Sequence, residues 1–148
     1  MPKYIAFLVP DKAWDGIDYL YELIELRPNN LNFALVTAKN MEQARKKYFL
    51  DYLYLDCFCE NFIRIDMAAD CLEHIFESYN KQEIINYFGE TDGKTIWQLA
   101  VDTPDDLPIS HTDAEKTAKL LSADSIATLC FWTYEYKIAV SKIEKNIN

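Results

Sequence analysis

Residues 48–59, YFLDYLYLDCFC, constrain the fold of this chain more than any other stretch of it. Apart from Asp51 and Asp56, nearly every side chain in the stretch is apolar or aromatic. A helix or strand with one solvated face needs more polar positions than this. We therefore expect the stretch to be buried on most of its circumference or to form an interface.

Length and composition predict one folded domain, residues 1–148, rather than a disordered or membrane protein. Of the 148 residues, 50% are hydrophobic, which is enough to form a hydrophobic core. The apolar run after Lys3 ends at Pro10 and is too short for a secretory leader. No run reaches the roughly 18 apolar residues of a membrane span. The four cysteines are then expected to be reduced thiols in the cytoplasm.

The N-terminal pattern predicts an α+β or α/β fold that starts with a βαβ-like unit. Residues 3–9 and 31–37 are apolar runs typical of buried strands, and a helix starting at Asp15 or Asp18 lies between them. Such a unit is parallel if both strands share a sheet, and an antiparallel arrangement is the alternative. Together with strands at residues 61–66 and 128–140, this predicts a small mixed sheet of about four strands.

Helix starts are predicted from cap-like pairs in which Asn or Thr is followed three residues later by Gln or Glu. The pairs are Asn40–Gln43, Asn80–Glu83 and Thr112–Glu115. Residues 68–79 predict the clearest amphipathic helix. Residues 128–140 alternate like a strand but also carry a helical stripe, so both assignments stay open.

The segment around Gly89 has a faint helix-turn-helix pattern, with a turn predicted at residues 89–93. Residues 95–101 fit either a helix or a strand. Only Lys94 could meet a phosphate there, so a packed helical pair is the better interpretation than a DNA-reading motif.

Charge is the strongest bulk signal for function. The net charge is -9, and residues 51–113 hold fourteen acidic and three basic residues, whereas each flanking part is close to neutral. Such a segment repels phosphates, which disfavours direct nucleic-acid binding and favours a basic protein partner.

Aromatic and acidic residues of this segment form the predicted partner-binding surface. Tyrosines are common interface anchors, and surrounding carboxylates would suit a basic site such as that of a nucleic-acid-handling protein, by occupying positions that phosphates would take. The candidates are Asp51, Asp56, Glu60, Asp66, Asp70, Glu73, Glu77, Tyr52 and Tyr54. Reversing the charge of Asp70, Glu73 and Glu77 together should weaken binding and leave the fold intact.

Two other groups of residues offer an alternative, a small metal-binding module or an enzyme. Cys57, Cys59, Cys71 and His74 are zinc-ligand types, although cysteines are commonly buried without a metal. The acidic loop at residues 102–113 contains His111 and could bind a cation or act as acid and base, although it also fits a solvated loop. A cysteine nucleophile is disfavoured by the acidic neighbours, which oppose a thiolate.

Known catalytic motifs are absent from the sequence. The three glycines form no phosphate-binding loop and no dinucleotide fingerprint, and neither G-x-S-x-G nor H-E-x-x-H occurs. The sequence therefore favours a non-catalytic protein over an enzyme and predicts no cofactor.

In size, acidity and lack of catalytic motifs, the chain resembles small acidic inhibitor proteins of bacteria and phages, such as toxin-immunity, anti-restriction and anti-CRISPR proteins. The resemblance rests on no motif and carries over no residue. It implies a cytoplasmic protein that inhibits or sequesters a basic partner. A third alternative is an oligomerising structural subunit, for example a homodimer that uses residues 48–59 as its interface.

Overall fold

The computed structural model describes residues 1–8 and 33–143, apart from the side chains of Phe33, Asp56 and Cys57. The contacts divide the chain into two compact units, one of Met1–Asp56 with Tyr134–Asn148 and one of Cys57–Thr133. We call them the sheet unit and the helical unit. The predicted helix and turn between residues 15 and 30 lie outside the described residues. Among the described residues, no helix is long and apolar enough to cross a membrane.

The sheet unit contains a three-stranded antiparallel sheet with the order β2-β1-β3. The strands are Lys3–Leu8 (β1), Phe33–Thr37 (β2) and Ile138–Ile143 (β3). Tyr4 lies opposite Val36, and Ala6 lies between Ala34 and Val140, on a face where all these residues are buried. The α+β class is thus confirmed. The pairing of β1 with β2 is antiparallel, so the parallel form of the predicted βαβ-like unit is wrong.

Helix α1, Met41–Tyr48, starts at the predicted cap, where Asn40 Oδ1 accepts a 2.8 Å hydrogen bond from the N–H of Gln43. The chain continues as a π-helical turn, Phe49–Leu53, and a short helix α2, Tyr54–Cys57. Within the apolar stretch, Tyr48, Phe49, Leu53 and Phe58 are buried, whereas Asp51, Tyr52, Leu55 and Cys59 are exposed. The expected burial on most of the circumference is therefore found for only part of the described stretch.

The helical unit contains the other helices. They are α3, Asn61–Leu72; α4, Lys81–Phe88; α5, Glu90–Asp102; α6, His111–Ala118; and α7, Ala123–Tyr134, whose last residue belongs to the sheet unit. Short 3-10 turns follow α3 at Ile75–Glu77 and α7 at Glu135–Lys137.

Residues 61–66 were expected to form a strand, and this prediction is wrong because they are the first half of α3. The short run alternates with a period of two residues. The longer apolar stripe of Ile65, Ala68, Ala69 and Leu72, all buried, has helical spacing and decides the structure. Because α3 begins at Asn61, Asp66 and Asp70 are one helical turn apart on its surface.

Helices α4 and α5 form the packed helical pair that the sequence predicted. The capping box at Asn80 and Glu83 is present, and α4 ends at Gly89, whose φ of 87° favours glycine. The turn predicted at residues 89–93 is shorter than expected, because α5 already begins at Glu90. Gly93 faces α4 so closely that a Cβ atom would lie 2.7 Å from Ile85 Cα.

Residues 128–134 are helical, so the strand assignment for residues 128–140 is correct only from Ile138 onward. Leu129, Cys130 and Phe131 are all buried, so α7 is covered on much of its circumference. Burial outweighs the β preference of its aromatic residues. The predicted fourth strand is therefore not found in the part of the chain that the structure describes.

Candidate functional site

His111 is the first residue of α6 and lies beside α3. The cap of α6 is Ser110, whose Oγ accepts a 3.1 Å hydrogen bond from the N–H of Asp113. The cap predicted at Thr112 with Glu115 is therefore wrong by two residues. This shift matters, because it makes Glu115 a neighbour of His111 one helical turn away instead of a capping residue.

Four carboxylates surround the His111 ring, and we call these five side chains the His111 cluster. On one edge, Nε2 lies 2.7 Å from Asp66 Oδ1 and 3.0 Å from Glu115 Oε1. On the other edge, Nδ1 lies 2.9 Å from Glu73 Oε2 and 3.3 Å from Asp70 Oδ1. The ring is 36% exposed and Asp66 is 57% exposed, so the cluster lies at the surface of the helical unit.

Helical spacing explains why these side chains meet. Asp66 and Asp70 lie at positions i and i+4 of α3, and Glu73 at i+7 is the residue that caps its C-terminus. His111 and Glu115 lie at i and i+4 of α6. Residues at such spacings share one face of a helix. The cluster therefore follows from two facing stripes on two packed helices.

The cluster changes the protonation of two of its members. Hydrogen bonds to Glu73 and Asp66 raise the pKa of His111 to about 9, so the ring is an imidazolium at neutral pH. Burial and the neighbouring carboxylate of Asp66 raise the pKa of Asp70. With all four carboxylates ionised and His111 protonated, the cluster has a net charge of -3.

The same side chains could hold a divalent cation. Asp66, His111 and Glu115 form one set whose ligand atoms lie within 4.8 Å of one another, and Asp70, Glu73 and His111 form a second. Imidazole nitrogen with carboxylate oxygen suits zinc or manganese. The ring would have to lose its proton to bind the ion, so binding would weaken as the pH falls below 9.

The cysteine–histidine set predicted as a metal site is not brought together among the described side chains. Cys59 is exposed, Cys71 is half-buried, and His74 pairs at 3.6 Å with Glu77. The Cys57 side chain is outside the described part. The remaining cysteine, Cys130, is buried, and burial raises its pKa to about 12, which keeps it a thiol rather than a nucleophilic thiolate.

The predicted partner-binding residues fall into both units. Asp66, Asp70 and Glu73 meet at His111, and Glu60 and Glu77 are exposed in the helical unit. Asp51, Tyr52 and Tyr54 belong to the sheet unit, where Tyr52 stacks on Tyr48 and Tyr54 packs on Phe49. The Asp56 side chain is not described. The structure thus groups three of the predicted residues, two in α3 and one at its C-terminal cap.

Sequence reasoning missed Glu115 as a member of the cluster and did not connect His111 with α3. The four-residue spacings of Asp66 with Asp70 and of His111 with Glu115 were visible in the sequence. A four-residue spacing places side chains on one face only in a helix, so the Asp66–Asp70 spacing could not be interpreted while residues 61–66 were assigned to a strand. A longer helical window would have placed both acidic residues on one face.

Searches of protein-family models, curated proteins and solved structures find no significant match to this chain.

Proposed function

We propose that the protein is a non-catalytic binding protein that uses the acidic surface of its helical unit to bind, and thereby inhibit or sequester, a basic protein partner. The observation that carries the proposal is the excess of carboxylates in the His111 cluster. One imidazolium would suffice to pair with one or two carboxylates. The additional ones repel each other, and a cationic partner would relieve this repulsion.

The distribution of charge between the two units supports the proposal. The helical unit has fourteen acidic and five basic residues, whereas the sheet unit has ten of each. Elsewhere in the helical unit, the groove of about 580 Å³ between α5 and α6 is lined by Lys94 and Lys116 as well as by Asp102 and Asp113. That groove has charges of both signs, whereas the His111 cluster has more carboxylates than cations.

We also propose that the basic partner is a protein that handles nucleic acid. Carboxylates on a protein surface can occupy the positions of phosphates for a partner with a basic site. The proposal also includes a cytoplasmic location, in keeping with the free thiols of Cys59 and Cys130.

The experiment compares retention of proteins from the native host lysate by three forms of the chain, at low salt and at about 0.5 M salt. One variant replaces carboxylates of α3 and the turn after it, Asp70→Asn with Glu73→Gln and Glu77→Gln, and we call it the α3 variant. Amides are preferred to reversed charges, because Asp70 and Glu73 contact His111 and lysines there would repel it. The control, Asp102→Asn with Asp105→Asn and Asp106→Asn, removes the same charge around the loop after α5, and we call it the loop variant.

We expect a basic protein that the wild type and the loop variant retain at low salt, that high salt releases, and that the α3 variant fails to retain. Retention of the same proteins by all three forms would reject the α3 surface. If no form retains a specific protein, the binding proposal itself fails.

A divalent-cation function is a second candidate, favoured by the two ligand sets around His111. It replaces the predicted cysteine–histidine module with a His111-centred one. Titration of the metal-free protein with Zn²⁺ or Mn²⁺, followed by calorimetry, tests it. Stoichiometric binding that Glu73→Gln weakens and Glu83→Gln leaves unchanged would support it, and weak multiple binding would reject it.

A further inference from the structure

A pocket of about 450 Å³ lies beside the His111 cluster, between α3 and α6. Asp66 and Glu115 belong to both, because they line the pocket and also pair with Nε2 of His111. Phe62 precedes Asp66 by one turn of α3, and Lys119, four residues after Glu115, is the residue that caps the C-terminus of α6. The pocket thus extends from the cluster toward the start of α3 and the end of α6.

The pocket combines negative charge with an exposed aromatic ring. The ring of Phe62 is 67% exposed. Ile63 and Met67, both half-buried, add apolar surface to the lining. Among the lining residues, Lys119 is the basic one.

We infer that this pocket receives an arginine side chain of the basic partner, an inference that rests on the proposed function. His111 contacts Oδ1 of Asp66 and Oε1 of Glu115. Each carboxylate has a second oxygen that can accept a hydrogen bond from a guanidinium group. A guanidinium is planar, carries five N–H donors and stacks on aromatic faces, so the ring of Phe62 beside two carboxylates suits arginine better than lysine.

The probes are N-acetyl-arginine amide and its uncharged isostere N-acetyl-citrulline amide, added to the ¹⁵N-labelled full chain at pH 7 and low salt. We expect saturable amide shifts with the arginine probe that centre on residues 61–67 and 115–119. The citrulline probe should produce no saturable shift, because it retains the shape of the side chain but lacks the charge.

Three variants locate the binding. Phe62→Ala and Glu115→Gln should each weaken binding of the arginine probe by about threefold or more, since each removes one of the contacts that arginine makes. Lys119→Gln should strengthen it, because a competing cation is removed. The matched controls are Leu107→Ala, another exposed apolar residue, and Glu83→Gln, another exposed carboxylate. Both should leave the affinity unchanged.

Three other results would overturn the inference without rejecting the proposed function. Shifts spread evenly to Glu83 in α4 and to Asp105 and Asp106 in the loop at residues 103–110 would show a diffuse attraction without an arginine pocket. Equal binding of the citrulline probe, or no saturable shift with either probe, would also overturn it. These results would leave the proposed function intact, because a basic partner identified in the lysate experiment can bind α3 without placing an arginine in this pocket.

Discussion

Asp92 and the His111 cluster are both places in the helical unit where carboxylates join two helices, and they differ in how well the charge is matched. Asp92 Oδ2 in α5 accepts hydrogen bonds from Ser122 N at 3.2 Å, Ser122 Oγ at 2.6 Å and Ser125 Oγ at 2.6 Å. One carboxylate therefore has three donors. In the His111 cluster, four carboxylates share the two N–H groups of one ring.

The pKa values follow the same difference. Burial alone would raise the pKa of Asp92, but the hydrogen bonds from Ser122 and Ser125 lower it below its ordinary value. The pKa of Asp70 is raised by burial and by Asp66, and the nearby imidazolium of His111 only partly opposes this. The carboxylate of Asp92 thus has enough donors to stabilise its charge, whereas the His111 cluster has more carboxylates than donors. Under the proposed function, this excess is what a cationic partner would bind.

The largest effect is expected from Asp92→Ala. The change removes three hydrogen bonds to a charged group and leaves the hydroxyl of Ser125, which is buried, without this partner. We expect the free energy of unfolding to fall by about 2–4 kcal/mol in urea titrations. Asp106→Ala, in an exposed loop, should stay within about 0.5 kcal/mol of the wild type. Similar losses in both variants would contradict the structural role of Asp92.

Gly93→Ala tests the packing of α5 on α4 without changing any charge. The new Cβ atom would lie 2.7 Å from Ile85 Cα, and the backbone would have to move to admit it. We expect a loss of about 1–3 kcal/mol in the free energy of unfolding. Thr91→Ala, an exposed position in the same helix, should cost almost nothing. Equal stability of Gly93→Ala and wild type would show that the two helices are not in such close contact.

Removal of carboxylates from the cluster should lower the pKa of His111. An NMR titration of the imidazole should give a value near 9 in the wild type. Glu73→Gln removes the largest contribution to this shift, so the value should move toward the ordinary 6.5. Glu77→Gln, which contacts His74 rather than His111, is the matched control. A wild-type value near 6.5 would contradict the geometry of the cluster.

The same shift predicts a dependence of stability on pH. Because the pKa of His111 in the folded protein exceeds the ordinary 6.5, its contribution to stability is fully present below about pH 6.5. The contribution is lost as the pH rises through about 9. His111→Gln should therefore show a flatter stability profile than the wild type between these values. Parallel profiles of the two proteins would contradict the imidazolium in the cluster.

The smallest effect is expected from Glu90→Gln, although it too removes an ion pair. Glu90 lies 2.8 Å from Lys94, and both side chains are largely exposed. Water screens such a pair, so thermal unfolding should show no measurable change. A clear loss of stability would show that an exposed ion pair also stabilises the fold. It would contradict the idea that only carboxylates with several buried donors, such as Asp92, have a structural role.

The sequence predicted those parts of the fold that local signals determine. The caps at Asn40 and Asn80 and the strands β1 and β2 depend on neighbouring residues, and they were predicted correctly. The helices α3 and α7 depend on burial against other elements. Their β-branched and aromatic residues resemble strands when only a few neighbouring positions are considered.

The candidate site shows a similar limit. Asp70 could be predicted to lie at the surface, because the apolar stripe of its helix lies on the other face. The helix predicted at residues 68–79 ends at Leu72, so Glu73 lies just beyond it. The convergence on His111 could not be predicted, because it depends on how α6 packs against α3, about forty residues further along the chain. The role of Asp92 was missed for the same reason, since its donors come from the start of α7.

The proposed binding surface at the His111 cluster is best tested with a purified basic partner identified from the lysate. The quantity to measure is its dissociation constant for the wild type, the α3 variant and the loop variant. The two variants lose the same charge, so only the position of the lost carboxylates differs. We predict that the α3 variant binds about tenfold or more weakly, and that the loop variant changes less than about threefold. Equal weakening in both variants would show that net charge alone attracts the partner, and would contradict a binding surface at the His111 cluster.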